Sequence, residues 1–185
     1  MIIFEGPAEF DAWLHEHGAS ETELWIKYAK KGSGLRTITY DEALDVALCH
    51  GWIDGLVRSI DETYYSQRWT PRTPRSKWSK RNCGKVEALI AAGRMLPAGL
   101  AEIEKAKADG RWEAAYAGPA TIQMHDDLRA ALDANPAAAK AFETLNSQNR
   151  YAILFRVHDA KRPETRQRRI AQFVDMLAEG RKLYP

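Results

Sequence analysis

The sequence predicts an α+β fold, a small antiparallel sheet packed by helices and followed by a helical C-terminal extension. Three observations predict it. Leu24-Trp25-Ile26-Lys27-Tyr28-Ala29 is an aromatic and β-branched run of strand length. Residues 52–60 and 64–70 are two further runs, separated only by Asp61-Glu62-Thr63, which is the pattern of an antiparallel hairpin. From residue 126 onward, apolar residues recur at helical spacing between caps, prolines and glycines.

The elements follow in order. Pro7 suits the first position of a helix carrying Phe10, Trp13 and Leu14, and Gly18 closes it. The strand at 24–29 leads into a glycine-containing loop, Lys30 to Gly34. Thr39-Tyr40-Asp41-Glu42 fits a capping box, and Tyr40, Ala43, Leu44, Ala47 and Leu48 then share one helical face, with Gly51 just past its end. The hairpin comes next, its register left open because both strands have mixed faces. Pro71 and Pro74 end it, and Ser76 or Ser79 caps a helix running to Gly93. Pro97 opens another helix that stops at Gly110, and Gly118-Pro119 marks a turn in an irregular stretch. Helices are expected near 126–134, 136–145, 147–160 and 163–179. The expected division is an α+β domain over residues 1–120 and a helical domain over 121–185.

Charge is unevenly spread. The net charge is +2, yet residues 68–85 hold seven cations (Arg68, Arg72, Arg75, Lys77, Lys80, Arg81 and Lys85) and no acid. Residues 156–169 hold a net +4, so the rest of the chain carries −9. Basic regions on an acidic body steer anionic ligands. The two cysteines, Cys49 and Cys83, are too few for a disulfide scaffold and read as reduced thiols. No apolar run approaches the ~18 residues of a membrane span, and Met1-Ile2-Ile3-Phe4-Glu5 does not read as a signal peptide. The expected compartment is the cytoplasm.

Several residues are candidates for chemistry. Arg72, Arg75, Lys77, Lys80 and Arg81 supply positive charge. Trp69 and Trp78 lie among them, either as a face that stacks a base or ring, or as anchors with arginine stems packed over the indoles. In the last helix Arg166 shares the stripe of Ile170, Phe173, Val174 and Leu177, with Arg162 and Arg169 beside it. A guanidinium aimed at a core needs a partner, either an internal carboxylate or a bound anion. Asp54 and Asp61 are candidate general bases, or partners of Arg58, Arg68 or Arg72. Cys49-His50 with Asp54 lacks ligand spacing, and helical geometry turns Cys49 away from His50, so no metal and no cofactor are expected. His158 is expected to be a hydrogen-bonded core histidine, and Trp13, Trp25, Trp52 and Trp112 core packing. Walker-type, dinucleotide and nucleophile-elbow motifs are absent.

The run Tyr40-Asp41-Glu42-Ala43-Leu44-Asp45-Val46-Ala47-Leu48-Cys49-His50-Gly51-Trp52-Ile53-Asp54-Gly55 is distinctive, as are Thr70-Pro71-Arg72, Ser76-Lys77-Trp78-Ser79-Lys80-Arg81-Asn82, Gly93-Arg94-Met95 and Ala160-Lys161-Arg162-Pro163-Glu164-Thr165-Arg166. Together they resemble the YdeI/OmpD-associated, or bacteriocin-protection, family over nearly the whole chain. Residues 126–182 resemble that family's named conserved domain, and the N-terminal part is loosely similar to YjbR/CyaY-like modules. The resemblance implies a bacterial protein of bacteriocin, cationic-peptide or envelope-stress tolerance, and supplies no catalytic residues. The family name also suggests a porin-associated role, from which this chain departs by lacking an export signal.

The expected function is that of a cytoplasmic binding protein of a stress-tolerance family that recognises an anionic, phosphate-bearing ligand. Arg72, Arg75, Lys77, Lys80 and Arg81 supply the charge, Trp69 and Trp78 a stacking face, Asp54 a neighbouring carboxylate, and Arg162 and Arg166 a second wall. The alternatives are a nucleic-acid-binding module, or a small-substrate enzyme using Asp54 or Asp61 as base.

Overall fold

The computed structural model describes residues 1–185, and the chain divides into two compact units, Met1–Ala115 and Tyr116–Pro185. The fold is mixed α+β, with eight helices and one three-stranded antiparallel sheet.

The N-terminal unit contains α1 (Pro7–His17), β1 (Leu24–Ala29), α2 (Tyr40–Cys49), β2 (Trp52–Ser59), β3 (Tyr64–Pro71), α3 (Lys80–Ala91) and α4 (Pro97–Ala108). The sheet order is β1-β3-β2. β1 alternates strictly, burying Leu24, Ile26 and Tyr28. Ile2 bridges to Ile26 and covers part of the free edge of β1. β2 and β3 pair as a hairpin, with a register shift between Asp54 and Val57. That stretch of β2 is one residue longer than its partner stretch of β3, the pattern of a bulge. The Gln67 side-chain amide fills the gap by donating to the Gly55 carbonyl at 2.7 Å. The bulge explains the mixed faces of these strands, because one extra residue reverses every side chain beyond it. Leu56 and Val57 consequently face solvent.

The capping box closes α2 as expected: the Glu42 amide donates to Thr39 Oγ1 at 3.3 Å, and the Thr39 amide donates to Glu42 Oε2 at 2.9 Å. At its other end Gly51 takes φ +75°, the left-handed conformation that ends a helix without penalty only for glycine. Ser79, rather than Ser76, caps α3. One core gathers Phe10, Leu14, Ile26, Tyr28, Leu44, Leu48, Trp52, Trp69, Trp78, Val86 and Ile103. Trp13 and Trp112 are half-buried against it. Trp25 departs from the expected core role, since it lies half-buried with the Arg58 guanidinium 4.4 Å over its ring.

The C-terminal unit contains α5 (Asp126–Asp133), α6 (Pro136–Glu143), α7 (Ser147–His158) and α8 (Pro163–Ala178). Leu128, Leu132, Phe142, Ile153, Val157, Ile170, Phe173 and Leu177 form its core. Asn135 and Asn146 cap α6 and α7. Asn149 is fully buried, and its Oδ1 accepts the amides of Leu183 and Tyr184 at 3.0 and 2.9 Å, fastening the C-terminal residues to α7. His158 is exposed rather than in the core, although its Nε2 lies 2.6 Å from the Gln123 carbonyl oxygen.

Candidate functional site

The basic loop between β3 and α3 is organised by two guanidinium groups. The backbone turns at Thr73, where Ser76 Oγ accepts the Thr73 amide at 2.9 Å. Arg72 folds inward and is only 7% exposed. It lies 3.5 Å over the Trp78 ring, and its Nη1 donates to the Lys77 carbonyl at 3.3 Å. Its Nε and Nη2 are buried with no hydrogen-bond acceptor. Burial pulls the Arg72 pKa down to about 10, with Asp54 the largest opposing influence, so the group still carries its charge at neutral pH. Arg111, from the segment after α4, donates to the Ser76 and Thr73 carbonyls at 3.0 and 3.4 Å while Asp109 holds its Nε. Trp78 packs on Trp112 with ring centres 5.0 Å apart. The loop is thus fastened by cations that grip its carbonyls, and Arg75, Lys77 and Lys80 are exposed along it.

The remaining predicted residues fall in different places. Trp69 is fully buried, and its indole N–H donates to the Tyr28 hydroxyl at 3.0 Å. Trp78 is 2% exposed. Neither indole offers a face for stacking a ligand, which corrects that expectation; Trp78 instead anchors the loop under Arg72. Arg81 pairs with Asp41 at 2.5 Å, and Lys85 pairs with Asp45 at 2.7 Å. Asp54 accepts from the Tyr40 hydroxyl at 3.1 Å rather than joining Arg58 or Arg68. Burial, and then the Asp54 charge, push the Tyr40 phenol well above its usual range. Asp61 is exposed and accepts the amides of Thr63 and Tyr64 at 2.8 and 2.7 Å. Those amides hold its carboxyl below the usual range, opposite to what a general base at neutral pH requires. Asp61 therefore builds the hairpin turn.

Arg162 and Arg166 belong to the C-terminal unit. Arg166 is half-buried, and its Nε donates to Asp127 Oδ2 at 2.8 Å, so the partner this guanidinium needs is an internal carboxylate. Arg162 is exposed at the N-terminal boundary of α8. Arg169 donates to the Arg156 carbonyl at 2.5 Å.

One constellation is missing from the sequence reading. His50, at the end of α2, places Nε2 2.8 Å from Asp11 Oδ1 of α1. His15, one turn beyond Asp11, places Nε2 3.6 Å from Asp11 Oδ2. The ligating atoms of all three lie within 4.8 Å of one another. Asp11 and His15 also line a cleft of 320 Å³ with Cys49 and Arg94. The i,i+4 spacing of Asp11 and His15 on one helical face is the signal that sequence offers for this group. Cys49 and Cys83 are both free thiols, and burial raises both pKa values.

Comparison with known proteins gives two matches. Residues 2–102 match the family model described as Domain of unknown function (DUF8412). Residues 121–180 match the model described as Bacteriocin-protection, YdeI or OmpD-Associated. The second is the family that the motifs resemble, and it covers the C-terminal helices; the motif runs from Tyr40 to Met95 fall within the first. No curated protein and no solved structure matches the chain.

Proposed function

Because the chain belongs to the DUF8412 family and carries the bacteriocin-protection, YdeI or OmpD-associated segment over residues 121–180, we propose that it is a stress-tolerance protein binding an anionic, phosphate-bearing ligand on the basic loop of its N-terminal unit. The observation that supports this reading is the buried Arg72 guanidinium, which has two donor nitrogens without acceptors in a stretch, residues 68–85, that contains no acid. A charge in a low-dielectric setting is poorly screened, and its field emerges through the surface above it. Arg75, Lys77 and Lys80 are exposed in the same stretch of chain. Since Arg72 and Arg111 hold the loop by its carbonyls, the cations stand on a fixed frame and binding loses less ordering entropy. Trp78 contributes as part of that frame, and Arg166, engaged by Asp127, is left out of the proposed site.

The test is isothermal titration of tripolyphosphate into the full chain at two salt concentrations. Saturable binding that weakens with salt is expected. At about 0.5–1 kcal/mol for each exposed charge, the combined Arg75→Ala, Lys77→Ala and Lys80→Ala variant binds roughly 10- to 150-fold more weakly. Binding of duplex DNA instead, its log affinity falling by about 0.9 per log unit of salt for each phosphate contacted, assigns the loop to nucleic acid. No saturable heat with either probe overturns the proposal.

A further inference from the structure

We propose that Asp11, His15 and His50 form a binding site for a divalent transition-metal ion of the zinc class. Two imidazoles and one carboxylate suit such an ion, and three protein ligands leave a coordination position open for water or a small anion. The ligand atoms are already nearly in place. Bonds of about 2.0–2.1 Å in a tetrahedral arrangement set neighbouring ligands about 3.3 Å apart. The two observed nitrogen–oxygen separations, 2.8 Å for His50 and 3.6 Å for His15, bracket that value, with each imidazole addressing a different oxygen of Asp11. His50 supplies the fixed side, its side chain being 8% exposed; His15 supplies the adjustable one, its side chain being 59% exposed. Rotation of His15 closes the remaining separation.

The site borders usable space. Asp11 and His15 line the 320 Å³ cleft that Arg94 also lines. An ion held by these residues would border a cleft that also carries the Arg94 cation, a combination that suits a small carboxylate or phosphate as the exchangeable ligand. This site uses none of the residues of the basic loop, so the two proposals stand or fall separately.

The experiment uses the full chain after chelator treatment. Zn²⁺ is titrated by calorimetry against a competing chelator, and Co²⁺ serves as the spectroscopic probe. The expected results are one ion per chain and a Co²⁺ absorption band typical of low-symmetry nitrogen–oxygen coordination. His15→Ala leaves the buried His50 contact untouched and is expected to weaken binding at least tenfold; loss of supporting residues alone costs about 10- to 100-fold. Asp11→Asn keeps a hydrogen-bonding group beside His50 but removes the anionic ligand, and is expected to weaken binding similarly. His17→Ala, outside the group, is expected to leave it unchanged. Zn²⁺ binding that survives both His15→Ala and Asp11→Asn, or that disappears with His17→Ala, overturns the assignment. So does the absence of any binding tighter than about 1 mM, which would leave a plain His50–Asp11 contact.

Discussion

Gly99 and Gly84 receive the same substitution and should respond with opposite sign. Gly99 lies in α4, where the helix crosses the end of α2. A Cβ built there would collide with the carbonyl oxygen of Cys49, and would stand 2.6 Å from the Leu48 carbonyl oxygen and 2.6 Å from Met95 Cε. Ordinary contact begins at 3.4 Å, so α4 must retreat by about 1 Å to clear the Cys49 carbonyl, and backbone oxygens cannot rotate out of the way as a side chain can. Overpacking of this kind costs about 1–3 kcal/mol; with two backbone atoms involved, we take the upper end. Alanine returns about 1 kcal/mol through helix propensity. Gly99→Ala should therefore destabilise the N-terminal unit by about 2 kcal/mol. Gly84, inside α3, has nothing within 4 Å of its added Cβ, so only the propensity gain remains. Gly84→Ala should stabilise by about 1 kcal/mol. Urea unfolding followed by tryptophan fluorescence measures both, because all six tryptophans lie within Met1–Ala115 and the signal reports that unit alone. A Gly99→Ala protein as stable as the parent would refute the close approach of α4 to α2.

Three further outcomes are expected. Thr39→Ala should cost about 1 kcal/mol by opening the α2 capping box. Because the Thr39 amide and hydroxyl hold the Glu42 carboxyl below its usual range, that stabilisation is complete above the ordinary carboxylate pKa and fades as pH falls through the depressed one; Thr39→Ala should lose the hydroxyl's share of this acid-sensitive component and keep the amide's. In the C-terminal unit, the Arg166 guanidinium likewise lowers the Asp127 pKa, so carboxyl carbon NMR should give Asp127 a low midpoint that returns to the ordinary range in Arg166→Met. Asn149→Ala orphans the amides of Leu183 and Tyr184 and should cost about 2–4 kcal/mol, read by hydrogen exchange at those two amides and across α7.

What the sequence discloses is what local physics decides. The capping box at Thr39 and Glu42, Gly51 just past the end of α2 and the strand over Leu24–Ala29 each depend on residues a few positions apart, and each appears as read. Trp69 shows where that reading stops. Its sequence neighbours are cationic, but side chains alternate along a strand, so Arg68 points outward to Glu23 while Trp69 points into the core. Density of charge along a chain does not say which face carries it. Asp54 escapes for a related reason, because its partner, the Tyr40 hydroxyl, is supplied by the start of α2 rather than by its strand neighbours. Two of the three residues of the His–Asp–His group are visible as an i,i+4 pair on α1; the third arrives only through the packing of α1 on the end of α2, which no local pattern encodes.

Asn149 meets the Tyr184 amide thirty-five positions later in the chain. Translation delivers α7 before Leu183 and Tyr184, so a nascent chain carries an amide side chain whose partners do not yet exist. The N-terminal unit has every one of its own residues by Ala115 and is free to fold while synthesis continues. The C-terminal unit can seal only once Leu183 and Tyr184 have emerged, so it completes its fold after the N-terminal unit has had the chance to finish.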